Sequence, residues 1–125
     1  MKYNELTRRY FESAACAGML AGSGILRGAA GSRAQGTWVQ FDVRVNSNTR
    51  RTIEAVRFLA FACPHVIAVA AWLAEQAVGQ ELNGQLPQSV QCLSERFGVP
   101  VEKLGRLLLV EDAWNAAIAK AGGGH

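Results

Sequence analysis

The sequence contains no CxxC pair, and its three cysteines, Cys16, Cys63 and Cys92, are widely spaced and odd in number. That suits a reducing compartment, here expected to be the cytoplasm, better than a disulfide framework. No apolar run reaches the roughly 18–20 residues that a membrane span needs. No apolar stretch follows the charged opening Met1-Lys2-Tyr3-Asn4-Glu5-Leu6-Thr7-Arg8-Arg9, so no secretory signal is expected. There is no Lys/Arg run and no basic patch interleaved with aromatics, which argues against nucleic acid as a partner. Internal repeats and long linkers are also missing. Residues 1–125 therefore read as a single domain, and with half its residues hydrophobic the chain can bury one modest core.

What is present is uneven in charge. Residues 1–57 hold nine basic and four acidic side chains, a net +5, whereas residues 58–125 hold four and six, a net −2. A solvated surface accounts for this, and so does a preference of the first half for an acidic partner.

The hydrophobic pattern sets the element order. Leu6, Tyr10, Phe11 and Ala14 recur at helical spacing over residues 4–15. Residues 16–36 are rich in Gly, Ala and Ser and read as a loop with one short edge strand at Ile25-Leu26, its glycines permitting close approach. Val39, Phe41, Val43 and Val45 alternate with Gln40, Asp42 and Arg44, which predicts a half-buried antiparallel strand over 37–46. Asn46-Ser47-Asn48 supplies turn chemistry, and 52–62 returns as the second strand of a hairpin. Pro64 opens a helix that runs to about Val78, with Val66, Val69, Trp72, Leu73 and Ala77 as its buried stripe and Gly79 as its stop. Pro87 opens a shorter helix over 87–97 with Val90, Leu93 and Phe97 inward. Gly98-Val99-Pro100 breaks the chain. Residues 101–120 form a last helix with Leu104, Leu107, Leu108, Ala113 and Ile118 inward, and a Gly-rich end follows. The expected fold class is α+β: a small antiparallel sheet with an N-terminal helix and C-terminal helices packed on one face.

The run Phe58-Leu59-Ala60-Phe61-Ala62-Cys63-Pro64-His65-Val66 is the most informative. It places a thiol between a strand end and a helix N-terminus, where the partial positive charge of the first-turn N–H groups favours the thiolate. Cys63 and His65 are candidate metal ligands from this segment, although zinc usually takes four ligands and iron–sulfur clusters usually take thiolates. A buried structural thiol is the alternative. A Cys/His nucleophilic pair is disfavoured because no orienting Asn or Asp is evident, so no enzyme is expected. Glu111 and Asp112 are adjacent and diverge, which suits a solvated face or a partner for Arg44 or Arg57. Trp38, Trp72 and Trp114 read as packing residues. Cys16 and Cys92 have no activating neighbours, and Cys92 fits a helix interior.

In order along the chain, four segments resemble the iron–sulfur cluster scaffold family of the IscU/NifU N-terminal type. Tyr10-Phe11-Glu12 followed by Gly18 resembles the N-terminal helix motif with its HYENP-like ending. Gly31 to Val45 resembles GAPACGDVMKLQIKV, and Ile53 to Ala68 resembles IEDARFKTFGCGSAIA. Val99-Pro100-Val101-Glu102-Lys103-Leu104, running on to Val110-Glu111-Asp112-Ala113, resembles LPPVKLHCSxLAEDA. Spacing holds across all four.

The resemblance implies a site built from three cysteines, an aspartate and a nearby histidine. At the matching positions this chain has Gln35 for the first cysteine, Thr37 for the aspartate, and Gly105-Arg106 for the His-Cys pair. Only Cys63, the middle cysteine, is retained. The implied function is iron–sulfur cluster assembly or metal handling by a binding scaffold with a degenerate ligand set, the cargo being an iron–sulfur cluster, iron or zinc. Two alternatives stay open: an interaction module that kept the fold without metal, and a thiol protein that accepts persulfide sulfur on Cys63. The implied partners are a cysteine desulfurase or a chaperone of the assembly system, with Pro100 and Lys103 matching the chaperone motif LPPVK, and a second copy of the chain in a homodimer.

Overall fold

A computed structural model describes residues 3–13, 17–22, 24–46, 52–81 and 89–122. Its elements are α1 (Glu5–Ser13), β1 (Ile25–Ser32), β2 (Thr37–Val45), β3 (Ile53–Phe61), α2 (Pro64–Ala77), α3 (Val90–Arg96) and α4 (Leu104–Gly122), with a 3-10 turn at Val101–Lys103 before α4. The strands form one antiparallel sheet in the order β1-β2-β3. The α+β reading holds, with α4 lying along β1 and β2, and α2 along β3.

The alternation in β2 divides the two faces of the sheet. Val39, Phe41 and Val43 are fully buried beneath the helices, and Phe41 meets the edge of Trp114 from α4 at 5.4 Å between ring centroids. The stripe expected of α2 is buried in full, but so are His65, Ala68, Ala70, Ala71 and Ala74. This helix is enclosed on more than one face because α1 and α4 pack against it as well as β3.

α1 is capped by Asn4, whose Oδ1 accepts from the Thr7 N–H at 2.9 Å. The same turn reaches across the chain. Asn4 Nδ2 donates to the Arg96 carbonyl at 2.9 Å, and Thr7 Oγ1 donates to the Phe97 carbonyl at 2.6 Å. The end of the short helix α3 is thereby tied to the start of α1.

Several boundaries differ from the pattern-based expectation. β1 is a full eight-residue strand through Ser32, not a short piece at Ile25-Leu26. Register with β2 and the seat of α4 hold it in place: a Cβ on Gly28 would strike the backbone of Ala116 and Ala117. α3 starts at Val90, where Ser89 Oγ caps the Cys92 N–H at 3.1 Å; Pro87 lies outside the described residues. Leu108 is 49% exposed, because the inward face of α4 runs through Leu107, Val110, Ala113, Trp114 and Ala117. Asp42 stands on the face predicted to be solvated, yet it is only 1% exposed. Residues 17–22 cross that face as a strap. Gly18 N donates to the Phe58 carbonyl at 2.8 Å, Leu20 N to Asp42 Oδ2 at 3.0 Å, and Arg44 to the Ala21 carbonyl at 2.6 Å. Ala14, Cys16, Ser47, Asn48 and the residues after Gly122 lie outside the described residues. Among those described, no helix is long and apolar enough to cross a membrane.

Candidate functional site

The register brings the sequence-predicted site residues to one end of the sheet. Trp38 pairs with Phe61, so Thr37 and the turn before it lie beside Ala62 and Cys63. α4 crosses β1 with Ala117 over Gly28 and Leu109 at Gly31, so its first turn, with Gly105 and Arg106, points toward that same end. The 3-10 turn is there as well, since the Lys103 charge acts on His65.

Each position has a distinct character. Gln35 is exposed in the β1–β2 turn, its N–H donating to Ser32 Oγ at 3.1 Å. Thr37 is 4% exposed. Arg106 is exposed, and open space surrounds Gly105. Cys63 is the N-cap residue of α2, with extended backbone (φ −74°, ψ 162°) and Pro64 after it. Its carbonyl accepts from the Ile67 N–H at 3.1 Å, but its side chain makes no capping bond. The half-buried thiol therefore has no capping duty in the helix it starts. Cys92 belongs to α3, and Cys16 lies outside the described residues.

His65 is 1% exposed and meets the edge of the Tyr3 ring at 4.7 Å. Its Nδ1 has no hydrogen-bond partner among the described residues. Burial, and then the nearby Lys103 charge, pull its pKa below the ordinary histidine range, which favours the neutral imidazole. Asp42 is also held below its ordinary value. Burial opposes that shift, but bonds from Arg27 (2.7 and 2.8 Å), Leu20 N and Gln40 outweigh it.

Both depressed values lead to acid lability of the fold. A group whose folded pKa lies below its unfolded one stabilises the fold above the unfolded value, and that stability is lost as pH falls through the folded value. Stability should decline first below about pH 6.5, through His65, and again below about pH 3.9, through Asp42. Urea midpoints measured against pH should lose the first decline in His65→Gln and the second in Asp42→Asn. An unchanged profile in either variant would refute the assignment for that residue.

Among the described residues, no group of three or more His, Cys, Asp or Glu side chains is placed to hold a metal ion. The end of the sheet offers one thiol, an amide, a hydroxyl, a glycine and a guanidinium. A family model described as the NifU-like N terminal domain matches residues 2–122. The chain belongs to this family. Iron sulfur cluster assembly protein 1, mitochondrial, of Candida glabrata is 31% identical over 91 residues, which are 73% of this chain and 42% of that protein. The chain thus spans under half the length of this curated relative.

Two solved structures show the same fold. One is a nitrogen-fixing NifU-like protein (N-terminal) from Brucella abortus, with a TM-score of 0.75 at 15% identity, covering 98% of this chain and 95% of that one. The other is a putative iron–sulfur cluster assembly scaffold protein for the SUF system from Fervidobacterium islandicum, with a TM-score of 0.71 at 13% identity, covering 93% and 96%. Among the described residues at the sheet end of this NifU-like domain, Cys63 is the one thiol, whereas clusters are stabilised by several thiolates.

The sequence reading named these residues but not that the Lys103 charge acts on His65. No local signal carries that influence, which relates residues nearly forty positions apart.

Proposed function

We propose that this NifU-like domain works in iron–sulfur cluster assembly as a binding scaffold. It contributes one thiolate, Cys63, to a site completed from outside the chain. Iron and sulfide are the cargo, and His65 is a candidate second donor. Either a second copy or an assembly partner, such as a cysteine desulfurase or a chaperone, supplies the remaining ligands. A reducing aqueous compartment suits a thiol with these duties. The observation that supports this reading is the position of Cys63: half-buried, at the N-terminus of α2, free of capping bonds, and at the sheet end where Thr37 and the start of α4 meet.

The test is anaerobic reconstitution with ferrous iron and sulfide, then iron and sulfide content across a size-exclusion profile. Metal should elute with a dimer or larger species, be absent from the monomer, and vanish in Cys63→Ala. Metal on the monomer, or retained in Cys63→Ala, would overturn the reading. A complete lack of metal in every species would favour a second reading, an interaction module without cargo, to which Arg106 and the donor-poor sheet end also point.

A further inference from the structure

The face of the sheet turned away from the helices carries side chains that the proposed function leaves unused. Register places Trp38 beside Phe61 and Gln40 beside Leu59 on that face. The strap of residues 17–22 lies over the Asp42 end; at the Trp38 end Phe61 is 51% exposed, and Trp38 and Leu59 are half-buried. Arg33, exposed in the β1–β2 turn, stacks over Trp38 with Cζ 5.2 Å from the ring centroid.

Charge on this face is one-sided. Arg27, Arg44 and Arg57 stand on it and Arg33 at its rim; Asp42 is the carboxylate within the ladder, and exposed Glu54 sits at the bulge beside Ala55, away from the Trp38 end. Both Asp42 oxygens are engaged by Arg27, and further by Gln40 and the Leu20 N–H. Arg44 and Arg57 donate to backbone carbonyls, of Ala21 at 2.6 Å and of Val56 at 3.3 Å. The only ion pair recorded among the described residues is Arg27–Asp42. The excess of +5 over residues 1–57 is therefore concentrated partly here.

We propose that the open end of this face, Trp38, Leu59 and Phe61 with Arg33 and Arg57, is a docking surface for an acidic segment of a partner protein that bears apolar side chains. Aromatic residues and arginine are the types that anchor protein interfaces. Guanidinium groups without carboxylate partners are complemented by acidic side chains. The exposed apolar content favours a peptide over a phosphate track, which would need a row of cations. Phe61 is two residues before Cys63, so an occupant here sits at the thiol's end of the sheet. Docking of this kind does not depend on whether Cys63 holds metal.

The test uses the whole chain and fluorescence anisotropy with three labelled probes: a short peptide alternating Glu and Leu around a central Trp, its counterpart with Lys for Glu, and an oligothymidine. The acidic peptide should bind tightest, weaken with salt, and lose about tenfold in affinity or more in Phe61→Ser and in Arg33→Glu. Phe11→Ser, on exposed α1 surface, should leave it unchanged. Both test positions are exposed, so melting temperatures should stay near wild type. The proposal is overturned by equal or tighter binding of the basic peptide, by preference for the oligothymidine, by no binding of the acidic peptide, or by indifference to both substitutions.

Discussion

Replacing Gly28 by valine should cost about 3 kcal/mol or more and lower the melting temperature by roughly 10 °C. Gly28 is buried on β1 where α4 crosses, and the backbone of Ala116 and Ala117 occupies the place a side chain would take. Backbone cannot step aside as a flexible side chain can. Either α4 lifts from the sheet, opening the Phe41–Trp114 contact, or β1 bends out of register with β2. Typical domains are stable by only about 5–15 kcal/mol, so the loss is a large share of the whole. Ala29→Val is the matched control. Ala29 is exposed one residue further along the same strand, so valine there should change stability by no more than about 0.5 kcal/mol. Thermal melts followed by circular dichroism decide it. A Gly28→Val protein that melts within a degree or two of wild type would mean that α4 does not seat on β1 as described.

Rebuilding the donor set should turn the chain into a self-sufficient cluster binder. The fourfold variant Gln35→Cys, Thr37→Asp, Gly105→His and Arg106→Cys places two thiols, a carboxylate and an imidazole at the sheet end that holds Cys63. After anaerobic reconstitution, iron and sulfide in the monomer should rise from background to near-stoichiometric, with the visible absorption of an iron–sulfur chromophore. Gln35 and Arg106 are exposed, and Gly105 has open space around it, so three of the substitutions should fold without strain. Thr37→Asp is the costly one, because Thr37 is 4% exposed and a buried carboxylate needs a cation or hydrogen bonds. A threefold variant that keeps Thr37 separates that cost from the gain. If the folded variants bind no more iron than wild type, these four positions do not converge on Cys63.

The parts of the fold legible in the sequence are those where local pattern and tertiary packing agree. Val39, Phe41 and Val43 alternate because one face of β2 is core, and Cys63-Pro64 marks a strand end followed at once by a helix. β1 was read too short because Arg27-Gly28-Ala29-Ala30-Gly31 has little intrinsic preference for strand. Pairing with β2 and contact with α4 make it one, and neither is local. Asp42 looked solvated because the strap that covers it lies some twenty residues earlier in the chain. Leu108 fitted the helical period, but the face of α4 that meets the sheet is rotated away from it. At the candidate site, Cys63 and the Gln35, Thr37, Gly105 and Arg106 positions could be named from the sequence. Their meeting at one sheet end required the register of β2 on β3 and the direction of α4.

The ties from Asn4 and Thr7 to the carbonyls of Arg96 and Phe97 have a consequence for how the chain is made. α3 has seven residues, too few for a helix to persist in water unaided. Its end is fastened to residues that leave the ribosome some ninety positions earlier. During synthesis α1 must therefore wait, its inner face without its final cover, until α3 has emerged. α4 follows α3 in the chain and covers β1 and β2, so the tie between α1 and α3 and the seating of α4 on the sheet are both late events. Contacts so far apart in sequence close slowly. A nascent chain of this protein thus passes through a late stage in which the face of the sheet awaiting α4 is uncovered, the kind of exposed intermediate that invites a folding helper.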